Sequence, residues 1–145
     1  MGWRPTAYSG AERRRIISCV QQQVIAVPGT IRDQVTLGSN AFSDKEIWQA
    51  LAIADLKDTV MRLPEQLDTE YRDSVFSQGQ KQLLMIARAV VSNPAILLLD
   101  EITAGLDTAT EKIVIEALLR AAASRTVLSI SHRMSEVLPG KIVEI

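Results

Sequence analysis

Cysteine is almost absent from this sequence: among 145 residues there is one, Cys19. A lone thiol excludes a disulfide framework and favours a reducing compartment. Aromatic residues are scarce at 4%, and no internal repeat or low-complexity tract is present. No apolar run approaches the ~20 residues that a membrane-spanning helix needs. The opening Met1-Gly2-Trp3-Arg4-Pro5 lacks the apolar stretch of a signal peptide. Any membrane role therefore has to come through a partner or a separate segment. Excess charge is missing too: 16 Lys and Arg face 17 Asp and Glu, for a net charge of -1. That balance gives no basic field for a nucleic-acid backbone, so we expect no nucleic-acid partner, and Arg13, Arg14 and Arg15 read as a solvated helix or strand edge. What remains, 47% hydrophobic and 23% charged, is the composition of one ordinary soluble globular domain.

The hydrophobic pattern alternates between strand and helix. Ile16–Val20 reads as a short buried strand leading into Gln21-Gln22-Gln23 and a loop through Pro28 and Gly29. From Ser43 the period turns helical, with Ser43 and Glu46 as a capping box and Ile47, Trp48, Leu51 and Ala54 on one face. Pro64 stops the next helical piece, around Lys57–Leu63. Thr30–Leu67 is expected to be a small helical subdomain. Ser77 and Gln80 form a second capping box ahead of Leu83, Leu84, Ala87, Val90 and Val91, and Asn93-Pro94 ends that helix. Ala95–Leu99 is a continuous apolar run closed by Asp100 and Glu101, the pattern of a strand buried on both faces of a parallel sheet. Thr108 and Glu111 are expected to cap a third helix running to about Ala123. Thr126–Ile130 is a further strand, and Lys141–Ile145 another. Strand, helix, strand implies parallel neighbours in an α/β sheet.

In such sheets ligands bind at the carboxyl ends of the strands. Asp100 and Glu101 follow one strong strand, and Ser131 and His132 follow the other, so two carboxylates and the only histidine are expected on one edge. An apolar strand ending in Asp-Glu is a Walker B pattern, in which the first carboxylate helps hold Mg²⁺ and the second polarises an attacking water. One helix upstream, Phe76-Ser77-Gln78-Gly79-Gln80 opens a helix. Free N–H groups and the helix dipole favour an anion there, Gly79 permits close approach, and the Ser77 hydroxyl can donate. The alternative is that Ser77 simply caps its own helix and Gly79 is incidental.

Phe76–Gln80, the strand to Glu101, Thr103-Ala104-Gly105-Leu106-Asp107 and Ser131-His132-Arg133 together resemble the ABC ATPase family, with its signature sequence, Walker B strand, D-loop and switch histidine in that order. Gln22, ahead of Gly29-Thr30-Ile31, is similar to the Q-loop glutamine of transporter-type members, and Leu63-Pro64 with Leu67-Asp68-Thr69 resembles the exporter-type approach to the signature. The resemblance covers the chain from about Ile16 onward. It implies an incomplete P-loop NTPase-like parallel sheet flanked by helices, with an inserted helical subdomain. The divisions it suggests are 1–29 (strand and Q-loop), 30–92 (helical subdomain with the signature helix) and 93–145 (Walker B, D-loop and switch-histidine core). It further implies ATP and Mg²⁺ as ligands. Gln22 would sense Mg²⁺ and the γ-phosphate, Asp100 would bind Mg²⁺ through water, Glu101 would be the general base and His132 would contact the γ-phosphate. Asp107 would reach across a dimer interface. Ser77, Gln78, Gly79 and Gln80 would complete the ATP site of a second, head-to-tail ATP-binding domain. A transmembrane domain would be the other partner, placing the chain at the cytoplasmic face of the cell membrane.

Three departures accompany the resemblance. No G-x-x-x-x-G-K-[ST] occurs in the chain, so the P-loop backbone and lysine that cradle phosphates are missing, as is the aromatic that stacks on adenine in the family. Gln78 replaces a signature glycine. The stretch from Thr69 to Ser77 is short, leaving Glu70 and Asp73 both as candidates for the acidic contact to the membrane domain. Met1 and the poorly matching start suggest a truncated frame or gene fragment, expected to be inactive by itself. Two other readings are a non-catalytic interaction module that keeps the dimer face, and an ABC ATPase of DNA maintenance. The absence of long charged heptads argues against the latter.

Overall fold

The computed structural model describes residues 10–130. Their order is α1 (Gly10–Ile16), β1 (Ile17–Val20), α2 (Ile31–Thr36), α3 (Asp44–Ile53), α4 (Lys57–Met61), a 3₁₀ turn (Gln66–Asp68), α5 (Gln78–Val90), β2 (Ile96–Asp100), α6 (Thr108–Ala122) and β3 (Thr126–Ile130). The three strands lie side by side in chain order, and both pairings are parallel, so the fold is α/β as expected. Register sets Val20 level with Leu99 and Asp100 level with Ile130. The carboxyl ends of all three strands therefore share one edge. The expected strand at Lys141–Ile145 lies outside the described residues, as do Ser131 and His132.

Reciprocal capping explains where the helices start. Ser43 with Glu46 and Ser77 with Gln80 close both halves of the capping box, and Thr30 with Asp33 does the same for α2. Each box satisfies N–H groups that a helix start leaves without intrahelical partners. Gly29 has φ 121, and a Cβ there would overlap the Asp33 carboxylate, so the entry to α2 requires glycine. α5 is the central helix, touching α2, α3, α6 and β1. It is buried nearly all round, including Leu83, Leu84, Met85, Ile86, Ala87, Ala89 and Val90, rather than along the single stripe read from its spacing. Leu84 and Ile86 are fully buried, each contributing about 1.5–3 kcal/mol of transfer free energy.

Several expectations need correction. β1 begins at Ile17 rather than Ile16 and is not buried throughout: Ser18 and Val20 face inward, while Ile17 and Cys19 are exposed. β2 likewise buries Leu97 and Leu99 but leaves Ile96 and Leu98 only partly covered. Alternate residues point to opposite faces. The face carrying Cys19, Leu98 and Leu128 is incompletely covered among the described residues, with Leu128 56% exposed. The cap of α6 is Asp107, one residue ahead of Thr108, because its carboxylate accepts from the Thr110 N–H at 2.9 Å. Helix α4 ends at Met61, before Leu63, since the residue preceding Pro64 is driven out of helical backbone. Within the arginine run, Arg14 is not a solvated side chain. It donates to the Thr36 carbonyl at 3.0 Å and lies 5.2 Å over the Phe42 ring, and burial lowers its pKa.

Candidate functional site

Two loops and a helix start meet the carboxyl edge of the sheet. Asp100 ends β2 and Glu101 follows it, both exposed. Glu101 adopts φ 39, a left-handed conformation that a glutamate rarely takes, so the chain turns sharply there. Strain of this kind is held in place by its surroundings, here the buried Ile102 and Thr103 that follow. Asp100 also makes itself felt on β1: the partial desolvation of the otherwise exposed Cys19 thiol first, and the Asp100 charge second, push its pKa up. Gln22, two residues beyond Val20, stands exposed in the loop on the same edge.

Helix α5 brings its N-terminus to that edge. The Ser77 Oγ accepts from the Gln80 N–H at 3.2 Å, and the Gln80 Oε1 accepts from the Ser77 N–H at 3.0 Å. Both readings of the segment thus share one geometry: Ser77 caps its own helix, and the first turn, free of acidic residues, presents a positive end outward. Gly79 is not incidental. It is buried, and a Cβ there would overlap the Cγ2 methyl of Thr110 in the first turn of α6. Asp107, exposed, caps that same turn, and its Thr110 hydrogen bonds hold its carboxyl below the ordinary range. Glu70 pairs with Arg72, and Asp73 with Lys81 at 2.7 Å.

Among the described residues, register sets Gln22, Asp100 and Glu101 at neighbouring strand ends, while Gly79 packs on Thr110 in the turn that Asp107 caps, next to the start of α5 at Ser77, Gln78 and Gln80. His132 lies outside the described residues; β3 ends level with Asp100, two residues before it.

A family model described as ABC transporter matches residues 4–104. The chain belongs to the ABC transporter family. An ABC multidrug transporter of Cryptococcus neoformans is 43% identical over 133 residues, covering 88% of this chain and 9% of that protein. A multidrug resistance ABC transporter ATP-binding and permease protein of Lactococcus lactis is 42% identical, covering 86% of this chain and 22% of that protein. The solved structure of a bacterial Atm1-family ABC exporter with ATP bound matches with a TM-score of 0.69 and 37% identity, over 85% of this chain and 22% of that one. The chain therefore spans well under half the length of the curated relatives it matches. No described helix is long and apolar enough to cross a membrane.

In this ABC transporter segment, sequence reasoning missed the polar side chains that hold the site together. Gln82 is buried and its Nε2 donates to the Gln22 carbonyl at 2.7 Å. Arg88 donates from Nε to the Gln34 carbonyl at 2.6 Å and from NH1 to the Ile25 carbonyl at 2.7 Å. Burial lowers the pKa of Arg88, and the nearby Arg14 charge adds to that. A charged residue inside the apolar run Met85-Ile86-Ala87-Arg88-Ala89-Val90 was the available signal.

Proposed function

We propose that this chain is part of the ATP-binding and ATP-hydrolysing domain of an ABC exporter, working at the cytoplasmic face of a membrane with a transmembrane domain and a second ATP-binding domain. The observation that carries the reading is the convergence of Gln22, Asp100 and Glu101 on one sheet edge, beside the N-terminus of α5. The exporter relatives favour this over a DNA-maintenance ATPase.

The residues fit Mg²⁺. Asp100 and the Gln22 amide, exposed at neighbouring strand ends, would offer it oxygen ligands. Mg²⁺ characteristically takes one or two carboxylates from the protein and the rest from phosphates and water. Bound with the nucleotide, it would supply neutralisation of phosphate charge. Glu101, on the left-handed turn that follows Asp100, would accept a proton from the attacking water. The water oxygen bonds to the γ-phosphorus as the bond to the leaving ADP oxygen breaks. His132 would contact the γ-phosphate, as the family resemblance implies. Ser77, Gln78, Gly79 and Gln80 offer the helix start to the nucleotide of the opposing domain in a head-to-tail pair, and Asp107 lies at that interface. The phosphate cradle comes from a P-loop that these 145 residues do not contain, so by themselves they bind ATP weakly and do not turn it over.

The test uses a protein in which a P-loop is present in the same chain. Glu101→Gln lowers turnover by about 10²–10⁴-fold with ATP binding retained. Asp100→Asn weakens the Mg²⁺-dependent part of binding. Near-parental hydrolysis by Glu101→Gln, with ATP trapped by Asp100→Asn, would reverse the assignment. One other reading is a non-catalytic interaction module that keeps the dimer face. It gains support if calorimetry finds no ATP binding even after a P-loop segment is supplied.

A further inference from the structure

We propose that Gln82 is a positioning residue for Gln22, tethering the Gln22 backbone to the helix that opens at Ser77. The inference rests on the nucleotide-site reading of Gln22 and Ser77 given above, and adds to it a mechanical link between the two.

Residues 21–28 form neither helix nor strand, and among the described residues no backbone–backbone hydrogen bond involves them. Such a loop is expected to find partners for its peptide groups elsewhere or leave them to water. Here the partners are side chains. The Gln22 carbonyl accepts from Gln82 Nε2 at 2.7 Å, and the Ile25 carbonyl accepts from Arg88 NH1 at 2.7 Å. Val27 is gripped at both ends by one amide: its N–H donates to Gln34 Oε1 at 3.0 Å, and its carbonyl accepts from Gln34 Nε2 at 2.6 Å. Arg88 in turn braces Gln34, donating to its carbonyl.

All these side chains belong to α2 and α5, and none to the sheet. The two glutamines are also buried. Gln34 is 0% and Gln82 3% exposed, and the Gln82 Oε1 is buried without a partner. A buried amide leaving its acceptor unused costs free energy. Only the donor half of Gln82 is engaged among the described residues, and what it engages is the backbone of Gln22. Gln82 stands near the start of α5, just past the turn capped by Ser77 and Gln80. In a head-to-tail pair, Gln22 serves the nucleotide of its own domain and Ser77 that of the opposing one. One short helical segment thus fixes the spacing between contacts to two different nucleotides.

The test is nuclear magnetic resonance relaxation on the ¹⁵N-labelled chain and its Gln82→Met variant, which keeps side-chain length and removes the donor. The Gln22 and Gln23 amides should fall from an order parameter near 0.85 to below about 0.6, while Val27, held by Gln34, stays ordered. That pattern separates a local tether from general loosening. Equal order at Gln22 in both chains, or loss at Val27 as large as at Gln22, would overturn the proposal. Should Gln82→Met fail to fold, the parental chain decides: a scalar coupling across the hydrogen bond from Gln82 Nε2 to the Gln22 carbonyl carbon supports the tether, and its absence removes it. A separate arm isolates the underlying reading. If Gln22→Ala in a P-loop-bearing protein leaves the Mg²⁺ dependence of ATP binding unchanged while Gln82→Met loosens Gln22, the tether stands and the metal role of Gln22 falls. A shifted Mg²⁺ dependence with no loosening gives the reverse.

Discussion

Gly79→Ala separates two reasons for a glycine at the start of α5. One is that a phosphate approaches the bare backbone. The other is that the first turn of α6 already does. A methyl at Gly79 would overlap Thr110 Cγ2, whereas the Thr110 Cβ and Oγ1 stand at 3.6 and 3.9 Å from it, ordinary contact distances. Forcing a methyl into such a contact costs about 1–3 kcal/mol, against a gain of up to ~1 kcal/mol from replacing glycine by alanine in a helix. An overlap this close takes the upper part of that range, ~2–3 kcal/mol, so the net loss is about 1–2 kcal/mol. With a urea slope of ~2 kcal/mol/M, that lowers the unfolding midpoint by about 0.5–1 M. Thr110→Ser removes only the offending methyl and keeps the hydroxyl. Alone it should cost well under ~1 kcal/mol, the value of one buried methylene. Combined with Gly79→Ala it should restore most of the lost midpoint, because the new methyl occupies the vacated space, giving a coupling energy of about 1–2 kcal/mol. Urea unfolding of the four ligand-free chains measures this with no nucleotide present. A Gly79→Ala chain as stable as its parent, or one that Thr110→Ser fails to rescue, refutes the packing argument. A rescued double variant that still fails to support hydrolysis in a P-loop-bearing protein would show that the phosphate needs the glycine as well.

Cys19, the only thiol, reports on the carboxyl edge of the sheet: its pKa is raised by burial and then by the Asp100 charge, so Asp100→Asn should lower it partway and speed reaction with a disulfide reagent. An unchanged rate–pH profile would place Asp100 away from β1. Asp107 has its carboxyl held below the ordinary 3.8 by Thr110, so its contribution to α6 is fully present above about pH 4 and is lost as pH falls through the lowered value. A carbon-detected carboxyl titration should find that low midpoint, and Asp107→Asn, which still caps, should abolish the acid-linked change at the Thr110 amide; a midpoint at or above the ordinary value would contradict the capping geometry.

What was legible in the sequence is what short spacing can encode. The Ser43–Glu46 and Ser77–Gln80 boxes were readable because both partners of each bond lie within four residues, and both formed. β2 and β3 were found to within a residue because an apolar run bounded by turn residues has few other uses. Their parallel pairing followed from the helix between them. The choice of Asp107 over Thr108 was not legible, since either residue type caps a helix and only the backbone angles decide. Least legible were the buried polar residues. A glutamine or arginine in a helical stretch reads as solvent-facing until the chain opposite it is known. Gln82 meets Gln22 across 60 residues, and Arg88 meets Ile25 across 63. The asymmetry has a physical cause. Residues that touch a ligand must present a fixed chemistry at a fixed spacing, so they form a motif. Residues that hold a loop need only place one donor against one carbonyl, and many side chains on many helical positions can do that. A search for motif letters alone finds Gln22 and passes over Gln82, although the position of the first is set by the second.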